Sequence, residues 1–377
     1  MPLPTALRLT ATAIALGALL VGCTAAPSPA PSSPGQETSS PVDRVGPVQP
    51  AGDPVEVATG LTSPWSVVPL PDSPGEALVS ERDSGVIRHL DADGALTAVA
   101  TVEGVVHEGE GGLLGLTLLE ADDARWLYAY LTTASDNRIV RMPLSGTLEV
   151  GAAEEVLTGL AKARNHNGGR IAFGPDGMLY ATVGDAAQPA LAQDATSLNG
   201  KILRMTPEGE APDDNPIDGS LVYSLGHRNP QGLAWDADGQ LWAAEFGQNT
   251  WDEVNRIEAG GNYGWPEVEG TGGGTTYIDP VVVWGTDEAS PSGLTYVDGT
   301  FFMAALGGER VWALYPTDDD GLFAVEWFTG EFGRIRDVVP AADGSLWFLT
   351  NNTDGRGSPR AGDDRIMSVR LIELEEG

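Results

Sequence analysis

RNHNGGRIAFGPDGMLYATVGD, residues 164–185, holds in one stretch the two features that decide how this chain is read. Its first half sets one of four histidines, His166, in a glycine-rich turn, where two glycines let the backbone take positive φ and approach a ligand closely. Its second half is an apolar run, a Gly-Pro-Asp-Gly turn and a second apolar run ending at Asp185. A histidine on such a loop, held between rigid strands, is a candidate general base; the same residues also fit a polar histidine satisfied within its own turn.

The second half of the stretch is one copy of a recurring pattern: an apolar strand after a turn, a polar gap, then a strand with a branched apolar pair, often with an arginine. The copies pair 76–80 with 85–88, 125–130 with 138–141, 176–182 with 201–204, 238–244 with 253–257, 299–304 with 310–314 and 343–349 with 365–369. Their markers Leu78, Leu127, Leu179, Leu241, Phe302 and Leu346 lie 49, 52, 62, 61 and 44 residues apart. Each copy is too small to bury its own apolar face, so copies must pack on one another. Six copies at this spacing predict an all-β chain folded as a six-bladed β-propeller. A solenoid is the rival, but the unequal gaps suit blades with variable loops. The long third and fourth intervals carry the extra, candidate functional, loops.

High counts of glycine (49) and proline (27) agree with many turns and short strands. With 54 Asp+Glu against 21 Lys+Arg, the chain is a poor partner for nucleic acid or anionic lipid. Residues 1–23 read as a targeting segment: Arg8, an apolar run from Ala11 to Val21, then Leu20-Val21-Gly22-Cys23. This end resembles a bacterial lipobox, in which the cysteine is lipidated; an ordinary signal peptide or a short anchor is the alternative. Cys23 is the sole cysteine, so no disulfide forms within the chain. The expectation is an extracytoplasmic protein of the cell envelope, touching the membrane only through that lipid. Residues 24–51, rich in Pro and Ser, read as a disordered tether, and 52–377 as one domain.

Four clusters could carry chemistry. The first is the His166 loop. The second is Gly226-His227-Arg228-Asn229-Pro230-Gln231-Gly232, where several donors sit within a proline-fixed turn. The third is Arg334-Ile335-Arg336-Asp337. If it is a strand, the two arginines share a face and repel unless an anion lies between them, which suits a carboxylate-rich ligand; two separate surface ion pairs are the alternative. The fourth joins Asp252-Glu253-Val254-Asn255 to Gly261-Asn262-Tyr263-Gly264-Trp265-Pro266, whose carboxylates and carbonyls suit Ca²⁺. No Cys/His cluster is present for zinc.

Together these clusters resemble the soluble pyrroloquinoline-quinone-dependent sugar dehydrogenases, the aldose sugar dehydrogenase or soluble glucose dehydrogenase family. The strings that carry the likeness are GEGGLLGL (109–116), HNGGRIAFGPDG (166–177), NGKILRM (199–205), GHRNPQGLAWD (226–236), DEVN (252–255), GNYGWP (261–266), SPSGL (290–294) and RIRD (334–337). The resemblance implies a six-bladed propeller that oxidises aldose sugars, or related alcohols, to lactones. It implies His166 as the general base toward the anomeric hydroxyl, with hydride passing to the quinone. It assigns Glu110, Arg228, Asn229, Ala305, Leu306, Gly307, Arg334 and Arg336 to the quinone, and Glu253 with the Tyr263 backbone to Ca²⁺. The sugar, the electron acceptor and the oligomeric state are not implied.

Two positions depart from the family pattern. Glu110 stands where some relatives carry glutamine, and its charge repels an anionic quinone unless it is protonated or paired. Gly307 stands where a lysine or arginine is common, so a lysine there is expected to tighten quinone binding. Two other readings of the same scaffold remain at this stage: a Ca²⁺-dependent propeller lactonase, and a non-catalytic sugar-binding propeller that has lost the cofactor.

Overall fold

A computed structural model of the protein describes residues 46–121 and 124–374. The expected leader at 1–23 with Cys23, and residues 24–45 of the expected tether, lie outside the described residues. Among the described residues no helix is long and apolar enough to cross a membrane.

The chain enters with β1 (Val48–Thr59) and then lays down four-stranded antiparallel sheets in sequence order. Blade 1 is β2 (Pro64–Pro69), β3 (Ala77–Glu81), β4 (Val86–Leu90) and β5 (Leu96–Thr101). Blade 2 is β6 (Leu113–Ala121), β7 (Ala124–Thr132), β8 (Asn137–Pro143) and β9 (Glu154–Leu160). Blade 3 is β10 (Ile171–Phe173), β11 (Leu179–Val183), β12 (Lys201–Met205) and β13 (Val222–Leu225). Blade 4 is β14 (Pro230–Trp235), β15 (Leu241–Glu245), β16 (Asp252–Arg256) and β17 (Val282–Trp284). Blade 5 is β18 (Pro291–Val297), β19 (Thr300–Ala305), β20 (Arg310–Pro316) and β21 (Leu322–Trp327). Blade 6 is β22 (Ile335–Pro340), β23 (Leu346–Thr350) and β24 (Arg365–Glu373), completed by β1. The chain is thus the six-bladed propeller expected. Every copy of the repeat falls on the second and third strands of a blade, and the second strand is buried along most of its length because neighbouring blades cover both its faces.

The core lies between the blades. Tyr128, Tyr130 and Ile139 of blade 2 pack on Ile171, Leu179 and Leu203 of blade 3. Phe302 and Val311 of blade 5 meet Ile335, Phe348 and Met367 of blade 6.

The domain begins earlier than its composition suggested. β1 starts at Val48, not at residue 52, and pairs antiparallel with β24 from Val48↔Glu373 to Thr59↔Arg365. The Pro- and Ser-rich composition up to residue 51 made the start of this strand read as tether, but β1 is an edge strand, where residues without an N–H such as Pro50 and Pro54 are tolerated. The pairing closes the ring with the chain's own start and end. A chain beginning at Gly60 should therefore melt well below one beginning at Gly46. Loss of about 4 kcal/mol of pairing and packing corresponds to roughly 10 °C, read by circular dichroism; equal melting would show that β1 does not close the ring.

Candidate active site

Register decides which loops meet. The inner strands pair at their starts with the ends of the second strands: Pro64↔Glu81, Leu113↔Leu131, Ile171↔Ala181, Pro230↔Glu245, Pro291↔Ala305 and Ile335↔Thr350. Loops leading into inner strands and loops leaving second strands therefore share one face of the ring. Glu110, His166, Arg228, Asn229, Gly307 and Arg334 lie on them, and so do Arg82, Asp185 and Asp354, with Glu245 at the end of β15.

His166 takes φ +59°, a left-handed conformation uncommon for a residue with a side chain. Bonds on both sides of the residue fix it. Its N–H donates to Glu110 Oε2 at 2.9 Å, and its carbonyl accepts from Ala186 N at 3.1 Å. The expected glycines follow: Gly168 has φ +66°, and a side chain there would place Cβ 2.4 Å from the Thr182 carbonyl. The ring Nδ1 lies 2.8 Å from Asp185 Oδ1. Asp185 is fully buried and also accepts from Trp265 Nε1 (2.9 Å) and Ala187 N (2.8 Å). Since a carboxylate only accepts, Nδ1 carries a proton, and in the neutral ring Nε2 is the nitrogen left with a lone pair. Among the described residues Nε2 makes no hydrogen bond.

The other histidines are differently placed. His227 is buried and bonded at both ring nitrogens, Nε2 to Ser224 Oγ (2.8 Å) and Nδ1 to Glu245 Oε2 (2.7 Å), and it stacks on Tyr263. His89 pairs with Glu76, and His107 with Asp83.

Arg228 and Asn229 are positioned through Glu245, whose Oε1 accepts from both backbone amides. Asn229 Oδ1 accepts from Gly168 N at 3.0 Å, tying this turn to the His166 loop. The Arg228 guanidinium lies over Trp265, 5.5 Å from the ring centroid. Its Nε is buried with no partner among the described residues, and burial lowers its pKa, opposed by the nearby Asp185 and Glu245 charges.

Arg334 and Arg336 differ from expectation. Arg334 precedes β22, and a bulge lies between Ile335 and Asp337, so simple alternation does not apply. The anion required between them is supplied by the protein: Asp354 Oδ2 is 3.2 Å from Arg334 Nη2 and 4.0 Å from Arg336 Nη2. Burial works to raise the Asp354 carboxyl, but the two arginines hold it below the ordinary carboxylate range. Arg336 is buried, donates to Gln231 Oε1 at 2.8 Å, and is pushed down to about 9, first by burial. Arg334 is half-buried, and its Nε has no partner among the described residues. Of the two, Arg334 keeps an unspent donor for a ligand, while Arg336 is engaged by protein groups.

Glu110 is paired: Oε1 accepts from Arg356 Nη1 at 2.9 Å. Ala305 and Leu306 are buried at the end of β19, and Gly307 is exposed beyond them. A Cβ at Gly307 would lie 2.5 Å from Ser290 Oγ and 3.2 Å from Ser290 Cβ. A lysine at 307 must therefore displace Ser290, a cost that opposes the gain expected from its charge.

In the fourth cluster, Glu253, Glu245, Glu269 and Tyr263 line one small cavity together with Arg228 and Trp265. Glu253 is buried and its carboxyl is pushed up to about 7, first by burial and next by the Glu245 charge. Glu269 Oε1 accepts from four successive amides, Gln248 to Trp251, at 2.7–3.2 Å, and these outweigh burial to hold it low. Among the described residues no three or more Asp, Glu, His or Cys side chains form a ready cage. The oxygen-only donors and the excess negative charge nevertheless suit a hard cation.

Asp185, Glu245, Asp354 and Arg356 were not singled out from sequence. Only Asp185 left a trace, as the polar end of the stretch that opens with His166.

Fold and site together define a propeller whose one face carries a carboxylate-backed histidine beside half-buried arginines whose Nε donors are unspent among the described residues. The model of the glucose / sorbosone dehydrogenase family matches residues 61–359, and the chain belongs to that family. It is similar to the PQQ-bound form of an aldose sugar dehydrogenase from Streptomyces coelicolor, at 50% identity with a TM-score of 0.82, covering 88% of this chain and 100% of that one. A structure described as a glucose dehydrogenase from Thermus thermophilus is 42% identical, with a TM-score of 0.77, covering 84% and 99%. An aldose sugar dehydrogenase of Escherichia coli K12 is 32% identical over 341 residues, 80% of this chain and 91% of that protein.

Proposed function

We propose that the protein is a pyrroloquinoline-quinone-dependent aldose sugar dehydrogenase, with His166 as the general base. The observation that carries this is the His166–Asp185 pair at 2.8 Å, which leaves Nε2 as a proton acceptor. The family and the PQQ-bound neighbour support the cofactor. So does the site itself: Arg228 Nε and Arg334 Nε are buried donors without partners among the described residues, which an anion would satisfy. Arg228, Asn229 and Arg334 would hold the quinone, and Arg336, through Asp354 and Gln231, would set the charge behind them. Bound there, the quinone supplies the acceptor for a hydride. His166 Nε2 takes the proton of the anomeric hydroxyl, and Asp185 stabilises the imidazolium that results, so the sugar leaves as a lactone. Lipidation at Cys23, and with it an envelope location, remains part of the proposal. Reconstitution of purified apoprotein with quinone and Ca²⁺, followed by a panel of aldoses with an artificial acceptor, tests the activity. Lactone hydrolysis without aldose oxidation would replace it with the lactonase reading.

Ca²⁺ is proposed at Glu253 and the Tyr263 backbone. In metal-free protein Glu253 holds its proton to about 7, against an ordinary value of 4.5. The unfolded chain releases that proton first, so metal-free stability should fall as pH rises from about 4.5 to 7. Ca²⁺ should remove this slope and raise the melting temperature of the parent at pH 7 by several degrees. Glu253→Gln should lose most of that rise; an equal rise in both places the ion elsewhere.

A further inference from the structure

Glu110 brings a negative charge to a site that must accept an anionic cofactor, yet its carboxylate has a structural duty. It accepts the His166 amide at 2.9 Å and so helps hold the base in its left-handed conformation. The loop is packed tightly against that of the base: Glu110 N donates to Arg164 O at 2.7 Å, and a Cβ on Gly109 would lie 2.0 Å from the same carbonyl. The free oxygen of Glu110 meets Arg356, a residue 246 positions away in the loop after β23. The backbone N–H of Arg356 donates to Asp354 Oδ1 at 2.9 Å. Asp354 is the carboxylate shared by Arg334 and Arg336, and its carbonyl accepts from Arg82 Nη2 at 3.3 Å. One polar network therefore runs from the His166 amide through Glu110 and Arg356 to the arginines of the anion site.

We propose that Arg356 is a positioning and charge-compensating residue: it neutralises Glu110, so that this carboxylate can brace His166 without repelling the carboxylates of the quinone. This rests on the quinone reading above. It explains why a glutamate is compatible with this position, since the Arg356 side chain brings the matching charge to it. It also bears on affinity. The pair is partly exposed, so its own attraction is weak. Leaving Glu110 ionised and unpaired beside an anion is the costlier state, because charges in a partly enclosed cleft are poorly screened.

Quinone binding by apoprotein, followed by tryptophan quenching at fixed Ca²⁺, tests the proposal in four proteins. Arg356→Met should weaken quinone binding roughly tenfold, because it keeps an apolar stem and removes the charge. Arg356→Lys should bind within about threefold of the parent. The double variant Glu110→Gln/Arg356→Met should recover most of the loss, since glutamine still accepts the His166 amide and no charge remains to be compensated. Arg356 is more than half exposed, so its variants should melt like the parent. Parental binding by Arg356→Met, or a double variant as weak as Arg356→Met, would overturn the proposal alone. A parent that binds no quinone would overturn the functional reading and this proposal with it.

Discussion

His166→Gln should lower turnover by about 10²–10⁴-fold, the usual cost of losing a general base, while quinone affinity and melting temperature stay close to the parent. Glutamine can keep the backbone bonds that fix the loop, His166 N to Glu110 and Ala186 N to the residue 166 carbonyl. It can also donate to Asp185. It cannot take up a proton near neutral pH. Steady-state rates with an artificial acceptor, beside a quinone titration, separate loss of chemistry from loss of cofactor. Activity within a few-fold of the parent would mean that another group is the base.

Asp185→Asn should cost a comparable factor, about 10²–10⁴-fold, without any change in the groups that touch the sugar. Oδ1 accepts from His166 Nδ1 and Ala187 N, and Oδ2 accepts from Trp265 Nε1. An asparagine must point its NH2 at one of these two sets of donors. If it replaces Oδ2, two donors face each other at Trp265, in a buried place where an unmet polar group costs about 1–3 kcal/mol. If it replaces Oδ1, it forces the imidazole to carry its proton on Nε2, the wrong nitrogen for a base. Because Asp185 acts through His166, kcat should fall while quinone affinity holds, and the pH profile of kcat/KM should lose the acidic limb that reports the parental base. A variant that loses only stability, with a parental pH profile, would reduce Asp185 to a structural role.

Local pattern and long-range register account for what could and could not be read in advance. The six repeats were visible because a strand covered on both faces stays apolar along its length, and its turn residues recur. His166 was visible because its glycines and its polar character stand apart from the strands around it. The acids that make it a site were not. Asp185 reaches the ring only because β11 ends beside the loop that precedes β10, and Asp354 reaches Arg334 only because Ile335 pairs with Thr350. Such partners depend on sheet register, which spacing alone does not fix. The same holds for Gly307, whose crowding by Ser290 follows from the pairing of Pro291 with Ala305. The start of β1 was misread for a different reason: its prolines are disruptive within a sheet but permitted at its edge.

The most direct test of the central claim is a single spectroscopic comparison. Purified parent and His166→Gln apoproteins are loaded with pyrroloquinoline quinone and Ca²⁺ without an electron acceptor, then mixed with excess aldose. Both should acquire the visible absorbance of bound quinone, and the parent alone should lose it rapidly as the quinone is reduced. Equal reduction in both proteins, or no binding by the parent, would contradict the account.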